Sequence, residues 1–450
     1  MNAFTCTKFI KSKLSYTNLN LCEFIKIYKS INQGERISKH VFYFDESFHD
    51  QKITVSAEGK VNTRSENALD TYVGIFWGCE EKDLEHNLKL LSDFEKKQKA
   101  MFGLKEDHEP KSTTITKSNF KYGIHSFNKN AMSFYKDLFS VISDINPIIQ
   151  IDCISKTEFF VINAFKDFQI RTPGVDKDAF YYALTKFLIV YGNDDLFRSL
   201  RDVHNRETAQ HLKDELIFNL DCIMRETEHI KRKEIEHSAY CEIRRILTEA
   251  DFSINTDSKY DFRYYPNFDG LLLLLSEMGI NPENVTVTID NEEKTYAEAV
   301  KYHFADVKQA DSAKTIQIRL SDILSGFIGR IMYAMFHDPN NAEDKVSDIA
   351  KIGENDLVRK RLLSSAWFDL TEDKFDLYQL IFRELIERHQ HYWTIMTRLY
   401  NDEIIRFKSL LKYFSHYGSY EEYQRIESSE HSEYCSNLCC KNIMCGYEQL

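Results

Sequence analysis

Proline and glycine are scarce in this sequence, with 6 and 15 of them among 450 residues. Both residue types interrupt helices and form irregular loops, so their scarcity favours long helices. No apolar run reaches the roughly 20 residues of a membrane-spanning helix. Residues 271–275 form too short a run, and Lys186 interrupts the one that ends at Tyr191. The first residues lack the continuous apolar core of a signal peptide. We therefore expect a protein without membrane association.

The cysteines and the charges exclude two further classes of protein. The 10 cysteines are scattered over a long chain, which argues against a disulfide framework and predicts a cytoplasmic protein. Near the end, His431 is followed by cysteines without a C-x-x-C pair, which favours a mobile reduced tail over a zinc knuckle. The formal net charge is -12, so contacts with nucleic acid must come from local basic patches, such as Lys231, Arg232 and Lys233.

The most informative stretch is Val-Phe-Tyr-Phe-Asp-Glu-Ser at residues 41–47. Its β-preferring residues predict a buried strand that ends in two carboxylates. Side chains alternate along a strand, so Tyr43 and Asp45 share one face while Phe44 and Glu46 share the other. Open α/β sheets bind their ligands at the carboxyl ends of strands. Asp45 therefore lies where a functional carboxylate is expected, although a turn would also explain it.

Two later stretches also carry a prominent carboxylate, one at the end of a strand and one on a helix face. Residues 285–290 predict a β-branched strand that ends at Asp290. Residues 316–332 have helical periodicity, and the face of Asp322 carries Ser325, Gly326 and Gly329. Glycine costs about 1 kcal/mol in a helix relative to alanine. Glycines at these positions would let the helix pack closely against a sheet. Such packing would bring Asp322 near the strand ends.

These motifs together resemble the bacterial family called "domain of unknown function 3800". The resemblance covers about residues 41–332, interrupted by a long insertion, and it rests on short motifs: Asp45-Glu46-Ser47, Ile289-Asp290, Asp311-Ser312, Ile316-Gln317 and Ser321-Asp322-Ile323-Leu324. The helix motif departs from the family pattern, because two more residues separate Gln317 from Asp322. That family belongs to the ribonuclease-H-like superfamily of metal-dependent nucleases and their relatives.

The resemblance implies a fold class and a strand order. We expect an α/β protein with a ribonuclease-H-like mixed sheet, a helical insertion and an all-helical C-terminal region. The first strands are predicted at 41–45, 52–55, 71–78 and 113–120, and a further one at 148–154. The family pattern also implies an acidic residue before a lysine in the third strand. Here Thr116 precedes Lys117, so Glu46 or Asp311 must substitute, with Asp152 as a weaker candidate.

The predicted carboxylates indicate a divalent metal. Adjacent parallel strands lie about 4.8 Å apart, so Asp45 and Asp290 could share an ion to which Asp322 adds an oxygen. Hard oxygen ligands suit Mg²⁺ or Mn²⁺, which take phosphate oxygens as further ligands. The resemblance also implies that Lys117 and Gln317 contact nucleic acid.

The remaining chain reads as largely helical. We predict a helical preface at 1–38, a ribonuclease-H-like domain at 39–335 with an insertion at about 194–284, and a helical region at 336–450. The predicted helices are 82–102, 131–143, 178–191, 207–247, 268–278 and 375–414. The last carries an apolar stripe from Tyr378 to Leu399. Such a stripe should pack on the sheet domain, or form a homodimer or a contact with a protein partner.

Three functions remain open from sequence. The first is a Mg²⁺- or Mn²⁺-dependent nuclease that hydrolyses DNA or RNA, with a role in defence against invading nucleic acid such as phage. The second is an inactive ribonuclease-H-like module that acts through its helical regions. The third is a helical, metal-independent ribonuclease of the HEPN type, suggested by two arginine–histidine spacings, Arg206 with His211 and Arg383 with His389.

Overall fold

The computed structural model describes most of the chain after the first 37 residues. The described residues are 38–48, 60, 62, 69–105, 108–165, 168–169, 174–203, 205–230, 233–252, 265–338 and 363–445. The predicted helical preface, apart from Ser38, and the strand predicted at 52–55 lie outside them. Lys231 and Arg232 of the predicted basic patch do too. No helix within the described ranges has the length and apolar character to cross a membrane.

Nine short strands occur in the described residues. They are β1 His40–Ser47, β2 Thr71–Glu80, β3 Lys121–Ile124, β4 Ile148–Ser155, β5 Phe168–Gln169, β6 Asp251–Phe252, β7 Val285–Ile289, β8 Asp306–Gln309 and β9 Ile395–Thr397. Six of them form one mixed sheet in the order β8-β7-β1-β2-β4-β9, and β5 pairs with β6. The protein is therefore an α/β protein, as the sequence predicted.

The carboxyl ends of β1 and β7 meet at one edge of the main sheet. Strand β1 is antiparallel to β2, which is antiparallel to β4. On the other side, β1 is parallel to β7, and β7 is parallel to β8. The predicted parallel pairing of β1 with β7 is confirmed, with Phe44 opposite Ile289. Asp45 and Asp290 are the next residues of the two strands.

Helices cover both faces of the sheet and build a separate lobe. They are α1 Leu84–Phe102, α2 Lys129–Ile145, α3 Lys156–Phe165, α4 Lys177–Tyr191, α5 Asp194–Arg201, α6 Arg206–Thr227, α7 Glu234–Glu249, α8 Tyr265–Glu277, α9 Glu293–Ala299, α10 Ile316–Phe336, α11 Glu372–Phe382, α12 Asp402–Ser415, α13 Tyr420–Tyr423 and α14 Ser428–Cys445. A π-helical turn, Arg383–Glu387, continues α11.

Alternation along β1 divides its side chains between two hydrophobic clusters. Tyr43 points into the larger cluster, which contains α10 residues such as Ile323 and Phe327. Phe42 and Phe44 point to the other face, against Leu271 of α8. A third cluster fills the lobe formed by α3 to α7. This lobe already includes Phe160 of α3, so its core begins before the insertion predicted from about residue 194.

The third strand of the antiparallel part was predicted wrongly. Residues 113–120 do not form a strand, because 3-10 turns occupy Ser112–Thr114 and Lys117–Phe120. The third strand is β4, which pairs along its length with β2. The segment at 113–120 instead runs beside α10, where Arg330 donates hydrogen bonds to the carbonyl oxygens of Ser112 and Ile115. Its β-branched residues gave a strand-like signal without a partner strand.

The C-terminal region also differs from the prediction, because it is not all-helical. Its strand β9 pairs in parallel with β4 and completes the sheet. The single helix predicted at 375–414 is divided into α11, the π-helical turn and α12 by this strand. Tyr378 and Leu385 lie in the same hydrophobic cluster as the sheet. The apolar stripe therefore packs on the sheet, one of its predicted alternatives.

Two other helical predictions need correction. The segment at 207–247 is two helices, α6 and α7, with a break between them. The predicted mobile tail is the helix α14, in which Cys435 and Cys439 are buried in the main core. His431 is also buried, and it hydrogen-bonds Tyr413 and the carbonyl oxygen of Tyr423. Its ring nitrogens are thus engaged by the fold.

Candidate metal centre

Asp45 lies at the end of β1 on the face that packs against α10. The strand reaches this position because four apolar residues, 41–44, are buried and the next residue is half-buried. Ser321 of α10 donates a hydrogen bond to the carbonyl oxygen of Tyr43 and so holds the helix on the strand. Burial raises the pKa of Asp45 well above its ordinary value, and the negative charge of Asp322 raises it further. That Asp45 and Asp322 share a cation stays a prediction.

Asp322 is held by a segment distant in sequence. Its Oδ2 accepts a hydrogen bond of 2.9 Å from the amide of Ser112, and its Oδ1 one of 3.0 Å from the Ser112 hydroxyl. Burial raises the pKa of Asp322 above its ordinary value, while the two bonds from Ser112 and the charges of Lys111 and Arg330 oppose that rise. Ser325, one turn further along α10, lies 2.9 Å from the hydroxyl of Ser47.

Gly326 allows Ser112 to come this close to the helix. A Cβ at Gly326 would lie 2.3 Å from the Cβ of Ser112. We expect Gly326→Val to destabilise the fold by about 2–3 kcal/mol, the cost of overpacking a tight contact. Chemical unfolding should compare it with Gly418→Val, since Gly418 is exposed and a Cβ there meets only the Glu422 carboxylate at 3.4 Å. Equal losses in the two variants would contradict this account.

The end of β7 supplies two more carboxylates. Asp290 accepts hydrogen bonds from the amides of Asn291, at 2.8 Å, and Ser312, at 3.2 Å. A tight turn follows, in which the amide of Glu292 lies 2.6 Å from the carbonyl oxygen of Asp290. Glu292 was not predicted from the sequence. Its position two residues after a strand-end aspartate was the available signal, but the start of α9 explains an acidic residue there equally well.

Glu46 is the most confined carboxylate of the group. Burial raises its pKa well above its ordinary value, and the charges of Glu292 and Asp45 raise it further. Its Oε1 is buried without a hydrogen-bond partner. A buried carboxylate oxygen that lacks a donor is costly unless a proton or a cation satisfies it. We define the acidic cluster as Asp45, Glu46, Asp290, Glu292 and Asp322.

Lys111 is a cation beside the acidic cluster, in addition to Arg330. Its Nζ pairs with Glu109 at 2.7 Å, and its side chain is 46% exposed. The hydrogen bond that Lys111 donates to Glu109 raises the pKa of Lys111, burial opposes that rise, and the charges of Asp322 and Asp290 add to it. An ammonium in this position lies within electrostatic reach of whatever the carboxylates bind.

Several predicted site residues lie elsewhere or make local contacts. Asp311 accepts a hydrogen bond from the amide of Ala313 and pairs with Lys314 at 3.7 Å, so it stabilises a turn. Gln317 donates to the hydroxyl of Tyr43 at 3.5 Å. Asp152 is buried in the middle of β4 and bonded to Gln150. It is therefore not part of the strand-end group.

The predicted basic residues divide into two cases. Lys233 is 6% exposed, and its ammonium is bound to Tyr191 and Glu236 within the lobe. It is therefore held inside the lobe rather than offered to a phosphate, contrary to the prediction. Lys117 is exposed, and its Nζ lies 5.3 Å above the ring of Tyr333 on α10.

The two arginine–histidine spacings have different surroundings. His211 is exposed on α6 and lies 3.5 Å from Glu215. Arg383 pairs with Glu384 at 2.8 Å. Burial lowers the pKa of His389 to about 4, so this imidazole is neutral at pH 7. His211 and Arg383 thus each lie beside a glutamate, and a catalytic role for either spacing stays a prediction.

The donor set suits a hard divalent cation, since it consists of carboxylate oxygens. The unsatisfied Oε1 of Glu46 fits a cation ligand as well. Among the residues that the structure describes, however, no three His, Cys, Asp or Glu side chains form a ready-made metal-binding group.

Comparison with known proteins adds no relative. No protein-family model, no curated protein and no solved structure matches this chain.

Proposed function

We propose that this protein is a divalent-metal-dependent nuclease of the ribonuclease-H-like superfamily that hydrolyses phosphodiester bonds in nucleic acid. The main support is the acidic cluster, in which Asp45, Asp290 and Asp322 come from β1, β7 and α10. These elements are far apart in sequence, and the carboxylates influence one another electrostatically. The pairing of β1 with β7 sets Asp45 and Asp290 at neighbouring strand ends, and Ser321 holds α10, which carries Asp322, on β1.

The strand order supports the same proposal. Strands β1, β2 and β4 form an antiparallel unit, and β7 and β8 continue the sheet in parallel on the other side of β1. This is the order expected of a ribonuclease-H-like core, with β9 as an additional edge strand. The resemblance to the "domain of unknown function 3800" family rests on the motifs at Asp45, Asp290 and Asp322.

The proposed roles follow from the contacts. Asp45, Asp290 and Asp322 would hold Mg²⁺ or Mn²⁺, with Glu46 and Glu292 as further oxygen donors. Bound there, the metal would activate a water molecule and stabilise the leaving oxygen of the phosphodiester. Ser112 fixes the Asp322 carboxylate through two hydrogen bonds. Lys111 lies where it can contact a non-bridging phosphate oxygen and offset the negative charge of the cluster.

A nuclease assay tests this proposal. Purified protein should cleave single- or double-stranded DNA or RNA with Mg²⁺ or Mn²⁺, and cleavage should stop in EDTA. Cleavage that continues in EDTA would instead favour the metal-independent ribonuclease. The predicted role in defence against invading nucleic acid remains part of the proposal and needs a test in cells.

Two observations favour a second function, an inactive ribonuclease-H-like module that acts through protein contacts. The described residues contain no ready-made group of three metal-binding side chains, and both oxygens of Asp322 already accept hydrogen bonds. Calorimetric titration with Mg²⁺ and Mn²⁺ separates the two functions. Failure to bind either ion would support the inactive module.

A further inference from the structure

A strip of aromatic and basic side chains continues from the acidic cluster along α10. We call Phe48, Tyr333, His337 and Lys117 the α10 strip. Phe48 follows Ser47 at the end of β1, and its ring lies so close to Gly329 that a Cβ there would be 2.4 Å away. Its ring is parallel to that of Tyr333, with the centroids 6.5 Å apart. His337 is the next ring of the strip, and its centroid lies 4.3 Å from that of Tyr333.

The strip and Asp322 occupy one face of the helix. Asp322, Gly326, Gly329, Tyr333 and His337 follow one another at intervals of three or four residues, which is the spacing of a single helical face. With a rise of about 1.5 Å per residue, Tyr333 lies about 16 Å along the helix from Asp322. The aromatic rings therefore begin about two turns beyond Asp322, where Phe48 lies against Gly329, and continue away from the carboxylates.

The segment beside this face is unusually basic for the chain. Between Glu109 and Asp137 the sequence has no carboxylate, although the formal net charge of the protein is -12. The hydrogen bonds that Arg330 donates to this segment hold it along α10. Lys111 therefore lies near the acidic cluster, and Lys117 lies above Tyr333. The two ammonium groups therefore lie near the two ends of this helix face.

We infer that the α10 strip binds a single-stranded nucleic acid, whose bases stack on Phe48 and Tyr333 and whose phosphates contact Lys111 and Lys117. This inference rests on the proposed function and names the strand state of its substrate. Aromatic faces beside a basic groove are the general means of binding unpaired strands. Tyr333 is half-buried and Lys117 exposed, so both present surface to a ligand.

The chemistry of the strip selects a single strand over a duplex. Stacking on a side chain needs a base whose face is not covered by its neighbours, and a duplex hides those faces. If the strip delivers substrate to the acidic cluster, cleavage would occur in loops, tails and unpaired strands.

Fluorescence anisotropy in EDTA tests the inference without involving cleavage. The probes are labelled oligo(dT) and oligo(rU) of about twelve nucleotides, within the usual site size, and a duplex of the same length. The single strands should bind at least about tenfold more tightly than the duplex. Tyr333→Leu should weaken single-strand binding about tenfold by loss of stacking, whereas Tyr333→Phe should keep the affinity.

A salt titration gives a second, independent readout. Each lost phosphate contact lowers the slope of log affinity against log salt by about 0.7 for a single strand. Lys117→Ala should show this decrease. Lys89→Ala, which removes an exposed lysine from α1, should show none. An unchanged affinity and slope in Lys117→Ala and Tyr333→Leu would overturn the inference, as would equal affinity for the duplex or no binding of any probe.

The inference and the proposed function can fail separately. If wild type binds single strands through the strip but never cleaves them with Mg²⁺ or Mn²⁺, the inferred binding site is supported and the proposed nuclease function is contradicted. If wild type cleaves with metal while the strip variants bind and cleave normally, the nuclease stands and the strip is a packing surface. Thermal unfolding of each variant checks that loss of binding is not loss of fold.

Discussion

Asp45→Asn is expected to lose at least about a hundredfold of the metal-dependent cleavage rate, because it removes a negatively charged ligand and the metal supplies several kcal/mol of transition-state stabilisation. Asp322→Asn should show a similar loss. The measurement is the initial rate of oligonucleotide hydrolysis with saturating Mg²⁺. Asp311→Asn is the matched control, since the same chemical change is made at a residue that stabilises a local turn. It should retain the activity of wild type.

The same variants separate a metal site from a set of structural caps. In EDTA, Asp45→Asn should be at least as stable as wild type, because burial and the charge of Asp322 disfavour the Asp45 carboxylate. Its bond from the amide of Glu46 can be kept by asparagine. Wild type should gain about 2.7 kcal/mol at a hundredfold excess of Mg²⁺ over the dissociation constant. A wild type that is unaffected by Mg²⁺ in melting curves would end the case for this site.

Asp402→Ala is expected to destabilise the protein by about 3–5 kcal/mol, the usual cost of removing one partner from a buried ion pair. The Asp402 side chain is 1% exposed and accepts hydrogen bonds from the hydroxyl of Tyr182 at 2.9 Å and from Lys186 Nζ at 2.8 Å. Because both donors lie on α4 and Asp402 begins α12, these two hydrogen bonds join the helical lobe to the C-terminal region. Urea unfolding measures the loss.

The pH dependence of this contribution has a definite sign. Burial acts to raise the pKa of Asp402, but the charges of Lys186 and Arg406 outweigh it and hold the pKa below its ordinary value. A lowered pKa in the folded state means that the carboxylate stabilises the protein above the unfolded value, about 3.9. The contribution is therefore complete at pH 7 and is lost only in acid, as the pH falls through the folded value.

Two controls check the account of Asp402. Asp144→Ala removes an exposed carboxylate from α2 and should change stability by less than about 0.5 kcal/mol. The double variant Lys186→Met, Asp402→Leu should recover part of the loss, since replacing both partners by apolar groups leaves fewer unpaired charges. A single variant as stable as wild type would show that Lys186 and Tyr182 find other partners.

The sheet around β1 was predictable because its strands are rich in β-branched and aromatic residues. Residues 41–45, 71–78, 148–154 and 285–289 are strands where the sequence placed them, and the parallel pairing of β1 with β7 is confirmed. The helix that carries Asp322 was equally clear from its periodicity. Long runs buried on both faces leave little competition from other structures.

The errors have a common physical origin, since they concern residues whose partners lie far away in sequence. The segment at 113–120 has strand-like composition, but its hydrogen bonds go to Arg330 of α10 rather than to a strand. Strand β9 has three residues, Ile395, Met396 and Thr397, within a pattern that looked helical. Only its pairing with β4 makes it a strand, and local sequence carries no trace of that pairing.

The candidate site shows the same limit. Asp45, Asp290 and Asp322 could be named because each follows or lies on a well-marked element. Ser112, which holds Asp322, begins a short 3-10 turn, and Lys111 precedes it, in a segment whose sequence has no periodic pattern. Contacts of this kind depend on tertiary structure, so the residues that support a site are harder to find than those that form it.

The position of β9 constrains how a newly synthesised chain can fold. Ile151 pairs with Ile395, so the outer edge of β4 has no neighbour until most of the protein has left the ribosome. At about 5–20 residues per second, this delay lasts on the order of ten to fifty seconds. An open strand edge can pair with another nascent chain during that time. An incomplete sheet, which for most of that time also lacks β7 and β8, must therefore persist or be protected by a chaperone until β9 arrives.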